Sequence, residues 1–337
     1  MLAFASEISV DTTSVVSLQT DLKLNPMSSR LTTDKAHEEL LVGYLTDRMM
    51  AEAPVHTYGR DDLRIEIGGS QGALVETGWS HLMGQAPVIL VGNTGAGKTS
   101  ALDGLSVLGV AHDRLPGRRE LTDWCILPAT RGGDTSPVTD RHERFRLTSA
   151  FRDLYPGGMA EILSWISLPD TRANHPLVFD GLRGANELGF AVDNFPAARF
   201  FVIRVTLVTR LFRLCTRQDP FDGPQLSASE APPEALAREY RDRLGAAGLL
   251  ERMSAQELQH FIAAVATARI DPGDVEARGR IVMEEALKYD ADEAAALLRR
   301  RAADRTVIVD SAKMDADAVA GRLAGLMASI SPSAGKG

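Results

Sequence analysis

Val88-Ile89-Leu90-Val91-Gly92-Asn93-Thr94-Gly95-Ala96-Gly97-Lys98-Thr99-Ser100 is a short apolar run, a loop with three glycines, and then Lys-Thr at the mouth of a helical pattern. The spacing is G-x-x-x-x-G-K-T, and each position has a chemical reason. Glycines at 92, 95 and 97 let backbone N–H groups turn inward around an anion. The amides of Lys98 and Thr99 open a helix whose positive end faces the same point. Lys98 reaches terminal phosphates, and the Thr99 hydroxyl is placed to bind Mg²⁺. Gly92, Asn93, Thr94, Gly95, Ala96, Gly97, Lys98, Thr99 and Ser100 are therefore the expected phosphate-binding set. A glycine turn that binds nothing is the bland alternative, and the full eight-residue match between strand and helix weighs against it.

Outward from this stretch the chain alternates strand and helix. Gln85-Ala86-Pro87 leads into the first strand, 88–91, and the helix after the loop carries Ala101, Leu102, Leu105 and Leu108 inward before Gly109. A second strand is expected at 109–112, ending at Asp113. The segment 114–153 is rich in arginine (Arg118, Arg119, Arg131, Arg141, Arg144, Arg146). It is either a solvated face or, lying past a strand's carboxyl end beside the loop, a source of substrate contacts. A helix is expected over 157–167. A third strand, Pro176-Leu177-Val178-Phe179, ends in Asp180, a carboxylate placed to meet Mg²⁺ directly or through water. A fourth spans 200–205, followed by a helix bearing Arg210, Arg213 and Arg217 on one face. Residues 219–304 read as helical and mostly polar, and Thr306-Val307-Ile308-Val309-Asp310 is the last strand.

Five strands separated by helices predict an α/β fold with a doubly wound, parallel five-stranded sheet. In this reading residues 85–330 form the main domain, and 219–304 are a helical insertion placed over the sheet's carboxyl edge as a lid. Residues 1–84 form an N-terminal extension: a tail or edge strands over 1–34, a helix begun by Thr33-Asp34, and a β-hairpin at 62–77.

Composition narrows the partners. A net charge of −8 and a pI near 5.5 give no indication of nucleic-acid binding. No apolar run approaches the roughly 20 residues of a membrane span. The two cysteines, Cys125 and Cys215, are far apart and read as reduced thiols. The amino terminus lacks a basic leader, so a cytoplasmic location is expected.

The loop, the strand ending in Asp180 and the arginine helix together resemble the P-loop NTPase superfamily, and within it the kinase-like branch. There is no N-K-x-D as in G proteins and no L-S-G-G-Q as in transporter ATPases, and Gly181 rather than an acidic residue follows Asp180. Glu187 is the nearby carboxylate that would have to polarise water instead. A narrower similarity joins 88–221 to the nucleotide-binding half of the bacterial RNase-adaptor P-loop family. It rests on Gly95-Ala96-Gly97-Lys98-Thr99-Ser100-Ala101-Leu102, Leu105, Leu108-Gly109-Val110, Asp113, Leu115-Pro116 and Thr216-Arg217-Gln218-Asp219-Pro220-Phe221. That family's carboxyl-terminal domain has no counterpart here.

The resemblance implies ATP and Mg²⁺ as ligands, and a phosphotransferase acting on a small polar or anionic acceptor. In that reading Lys98 neutralises phosphate charge, Thr99 and Asp180 hold Mg²⁺, Asp113 is the general base or orients the acceptor hydroxyl, and Arg210 and Arg217 clamp the phosphoryl group. The competing reading is a nucleotide-switched adaptor ATPase whose lid and N-terminal region bind a protein partner. For the arginine helix a solvated stripe is the alternative to a lid.

Overall fold

The run 88–91 is apolar at every position because it is covered on both faces, as the central strand of a parallel sheet must be. A computed structural model describes residues 55–58, 63–67, 77–170, 175–216 and 233–330. Its strands are β1 (Val55–Tyr58), β2 (Leu63–Ile67), β3 (Trp79–His81), β4 (Val88–Val91), β5 (Asp113–Arg114), β6 (Ile166–Pro169), β7 (Leu177–Leu182), β8 (Arg199–Arg204) and β9 (Thr306–Asp310). Five of these form an all-parallel sheet in the order β5-β7-β4-β8-β9, as the alternation of strand and helix predicts.

The helices around it are α1 (Lys98–Val107), α2 (Arg118–Leu121), α3 (Leu127–Thr130), α4 (Arg141–Leu154), α5 (Gly158–Ser164), α6 (Gly184–Asn194) and α7 (Leu207–Thr216). They continue with α8 (Pro233–Ala246), α9 (Ala255–Thr267), α10 (Pro272–Lys288), α11 (Ala291–Arg301) and α12 (Ala316–Ala328). Alternate residues of the sheet feed two cores. Val88, Leu90, Val178, Phe201 and Ile203 pack with Leu102 and Leu105 of α1 and Leu323 of α12. Ile89, Val91, Phe179, Phe200 and Val202 pack with α5, α6 and α11 through Ile162, Leu188 and Leu298. The chain thus leaves β4 for one face and β7 for the other. The carboxyl ends of these neighbouring strands form a switch point, where open α/β sheets place ligands.

Several expected boundaries move. The second strand is Asp113–Arg114 rather than 109–112, because the helix has not finished there: Gly109 has φ +70° and the Val110 amide still bonds Leu105 O at 3.0 Å. The expected helix 157–167 stops at Ser164, and Ile166–Pro169 becomes β6, paired with both β2 and β3. This second, antiparallel sheet has the order β1-β2-β6-β3 and was not foreseen. The expected first arm of the amino-terminal hairpin is β2, and it also pairs antiparallel with β1, a strand that was not expected. The hairpin's expected second arm around 73–75, the helix begun at 33–34 and residues 1–34 lie outside the described residues.

The helical insertion divides in two. α8, α9 and α10 form their own core with α7 around Leu214, Tyr240, Phe261 and Val282. α11 instead packs on the sheet layer, with Ala295 and Leu298 beside α6, so the part lying over the carboxyl edge ends near Tyr289. Among the described residues no helix is long and apolar enough to cross a membrane.

The α1–α12 contact sets a sharp limit on side-chain size. A Cβ on Gly104 would stand 2.5 Å from Ala320 Cβ. Gly104→Val is expected to cost roughly 1–3 kcal/mol through overpacking, read as a lower urea midpoint at unchanged slope.

Candidate functional site

β4 delivers the chain into the glycine loop at a point where no side chain fits. A Cβ on Gly92, whose φ is +154°, would lie 2.9 Å from Ile203 O on β8. The loop then turns back so that α1 starts at Lys98 with Gly97 as its cap residue. Lys98 is buried against its own loop, and its ammonium donates to Gly92 O at 2.9 Å and Asn93 O at 3.2 Å. Asp180 Oδ1 is 3.7 Å away. Burial lowers the Lys98 pKa to about 8, against the opposing pull of Asp180. Thr99 and Ser100 are exposed in the first turn of α1.

Asp180 reaches this point in regular register opposite Leu90, and β7 bulges directly after it. Leu90 pairs with Asp180 but Val91 pairs with Leu182, so Gly181 is the extra residue. The bulge returns Leu182 to the face used by Phe179. Gly181 has φ +136°, and a Cβ there would meet the Arg118 stem at 2.9 Å. The Asp180 Oδ1 atom is buried without a hydrogen-bond partner.

The occupant of the loop's outer rim was not foreseen. Glu285, near the end of α10, accepts from the Thr94 amide at 3.1 Å and from the Thr94 hydroxyl at 2.5 Å. Arg183 Nη1 bonds the same carboxylate at 2.7 Å and Arg210 Nη2 at 2.6 Å. Burial pushes the Glu285 pKa up, but Arg183, the Thr94 hydrogen bonds and Arg210 outweigh it and hold the carboxyl below its usual range. The loop thus already presents a backbone amide to an anion, and that anion is a side chain of the protein. Arg210 also donates to Thr94 O at 3.0 Å. Arg213 bonds Ala96 O, Ser311 Oγ and Ser311 O, so it braces the loop from behind.

The fold therefore brings Lys98, Thr99, Asp180 and Arg210 together around the expected loop. It does not bring Asp113. That residue pairs with Leu177 at the amino end of β7, three residues before Asp180, or about 10 Å along the strand. Its carboxylate faces His175 Nδ1 at 3.3 Å, and the general-base role expected for it is withdrawn. Arg217 lies outside the described residues. Glu187 is held bidentately by Arg118, at 2.5 and 2.9 Å, and by the Arg183 amide at 2.8 Å, which ties it to the wall of the site rather than to the loop.

Sequence reasoning missed Arg183 and Glu285. Arg183 had a usable signal, since it follows closely on Asp180 at the end of β7. Glu285 had none, being one polar residue in a polar helix, 191 positions from Thr94.

No protein-family model matches the chain, and no curated protein or solved structure is significantly similar to it.

The Lys98 environment has a thermodynamic signature. Its folded pKa, near 8, lies below the unfolded value of 10.5, so the unfolded chain binds more protons between those values and stability rises with pH across that window. Below pH 8 the buried charge is a standing cost. Lys98→Met is expected to raise stability at pH 7 by about 1–3 kcal/mol and to flatten the rise between pH 8 and 10. Urea denaturation of both proteins at several pH values checks this.

Proposed function

We propose that the chain is a P-loop nucleoside triphosphatase-fold protein that binds ATP with Mg²⁺, and that it transfers the terminal phosphoryl group to a small polar or anionic acceptor. The observation carrying this reading is the carboxylate on the Thr94 amide. The loop that the sequence assigns to phosphate holds an oxyanion, flanked by a buried lysine and two arginines. A triphosphate would bring a stronger anion to the same donors and displace Glu285.

The residues fit the metal as well as the nucleotide. Asp180 has a buried oxygen without a hydrogen-bond donor, and Thr99 offers an exposed hydroxyl at the helix start. Among the described residues there is no cluster of three or more His, Cys, Asp or Glu side chains that could hold a metal. Magnesium commonly takes only one or two protein oxygens and completes its shell with phosphate and water. Thr99 and Asp180 would hold it, and when bound it neutralises phosphate charge.

The chain's own contribution is charge placement. Lys98 exchanges two loop carbonyls for phosphate oxygens. Arg183 and Arg210, released from Glu285, are already aimed at the point where charge gathers as the phosphoryl group transfers, which is where fixed cations accelerate such reactions. In the transfer, the bond from the terminal phosphorus to its bridging oxygen breaks, a bond to an acceptor oxygen forms, and the acceptor's proton passes to solvent. One structural fact favours the adaptor reading as a second choice. Glu285 belongs to the α7–α10 helical unit, so its displacement would transmit nucleotide binding to an outer surface.

Calorimetry with a non-hydrolysable ATP analogue and Mg²⁺ tests the central claim. Lys98→Ala is expected to lose at least tenfold in affinity. Glu285→Gln, a weaker competitor for the same donors, should gain about fivefold. Affinity of the wild type should fall as pH rises above 8, since phosphate is by then fully ionised and Lys98 is losing its proton. Equal affinity in all three proteins would refute the assignment. Turnover without any acceptor, suppressed rather than stimulated by added small anions, would favour the adaptor.

A second expectation concerns the metal. Asp180→Asn keeps size and removes charge, so the difference in nucleotide affinity with and without Mg²⁺ should shrink. An unchanged difference would place the protein's metal ligand elsewhere.

A further inference from the structure

Behind Glu285, on the side away from the glycine loop, lies a cavity of about 420 Å³. Its walls carry six cations, Arg118, Arg119, Arg144, Arg152, Arg183 and Lys288. Among the described residues, three carboxylates, Glu187, Glu284 and Glu285, line it with these cations. Resting on the nucleotide reading above, we propose that this cavity is the binding site of the second substrate, and that its ligand is a small phosphomonoester with a compact apolar or planar body.

The charge argument follows from how the cations are used. Arg118 is matched by Glu187, Arg183 by Glu285 and Lys288 by Glu284. Arg144 reaches out of the cavity to Asp123. Arg152, on α4, spends one N–H on the Tyr289 hydroxyl at 3.3 Å, and no carboxylate among the described residues pairs with it. In a molecule with net charge −8, a concave surface on which the Arg152 guanidinium has no carboxylate partner among the described residues focuses a local positive potential. Planar guanidinium forks suit phosphate oxygens better than ammonium groups do.

The body of the ligand is read from the rest of the lining. Ile126, Met159 and the rings of Phe145 and Tyr289 face the cavity beside the charges. Lys288 Nζ already sits 3.2 Å from the centroid of the Phe145 ring, so one face of that ring is taken by a cation and the apolar contact comes from the remaining side chains. A volume of this size belongs to the small end of ligand pockets. It suits a phosphorylated small molecule and not a polymer.

The location ties this cavity to the loop. Arg183 and Glu285 belong to both places: they line the cavity and they touch Thr94. Arg183 also lies 5.9 Å from the centroid of the Tyr289 ring, and Tyr289 O accepts from Asn93 Nδ2 at 3.3 Å. Glu285 is thus a partition between the two compartments. When a triphosphate displaces it, the cavity and the terminal phosphate share one space, with Arg183 between them.

Phenyl phosphate is a suitable probe, because it joins a phosphate dianion to a planar ring and is too short to occupy both compartments. It would be titrated by calorimetry into the full chain saturated with the ATP analogue and Mg²⁺, so that the glycine loop is already filled. Binding to the wild type is expected, with phenol showing none. Arg152→Gln should weaken the probe at least tenfold and leave analogue affinity within twofold, Arg152→Lys should restore part of the loss, and Arg119→Gln should act in the same direction as Arg152→Gln. Lys98→Ala, examined without the analogue, should keep the probe. Loss of the nucleotide reading alone would appear as probe binding with no analogue binding in the wild type, and the cavity would then stand as an anion site in its own right. The proposal is overturned if the probe does not bind the wild type, if filling the loop with the analogue abolishes its binding, or if the Arg152 and Arg119 variants bind it as the wild type does.

Discussion

The arrangement hangs on one carboxylate, Glu285, set against the Thr94 amide and the guanidinium groups of Arg183 and Arg210. A loop amide beside the buried Lys98, the buried Arg210 and the half-buried Arg183 is a concentration of positive charge that water cannot screen well. Left alone it would oppose folding. Glu285 resolves this by supplying the anion from within the chain, and in doing so it joins four elements. The loop after β4, the end of β7 through Arg183, α7 through Arg210 and α10 all meet at its two oxygens. The α8–α10 insertion is therefore part of the site's electrostatics and not a separate decoration. Such an arrangement is costly to break unless another anion takes over the same donors.

Backbone geometry makes the carboxylate's position available. Gly92 lets β4 pass within contact of β8 before turning. The bulge at Gly181, directly after Asp180, sets the register of Leu182 and so places Arg183, whose amide holds Glu187, on the wall of the site. Without the bulge, Leu182 would face the opposite core and the arginine after it would point away from the loop. Two glycines, at unrelated places in the sequence, fix where the charges stand.

The parallel sheet was legible because its signals are local: fully apolar runs of four to six residues, a diagnostic glycine spacing, helices with capped starts. The loop residues, Lys98, Thr99, Asp180 and Arg210 were legible for the same reason. Asp113 misled because the strand was read as beginning at Gly109, whereas the helix's left-handed cap occupies that glycine and delays the strand to Asp113 itself. That delay moves the carboxylate from the sheet's carboxyl edge to its amino edge. The antiparallel sheet was missed because its centre, β6, is a four-residue piece from the end of a helical pattern, paired with strands far away in the sequence. Glu285 and the arginine cavity depend wholly on how α10 lies over the loop, and helix packing leaves no mark in a polar stretch of sequence.

The connection between β8 and β9 carries a consequence for assembly. Phe200 pairs with Thr306, so zipping this seam closes a loop on the order of a hundred residues, at roughly 4 kcal/mol of chain entropy. The insertion within that loop has its own core and short-range seals, among them the Tyr240 hydroxyl bonded to Ile270 O at 2.5 Å. It can condense before the seam closes and shorten the distance to be bridged, as contact-order arguments favour. Ser311, which follows β9, is what bonds Ala96 O and Arg213 behind the glycine loop. The brace on the glycine loop is therefore complete only once the β8–β9 seam has closed, so a chain without that seam holds the residues of the site but not its rigidity.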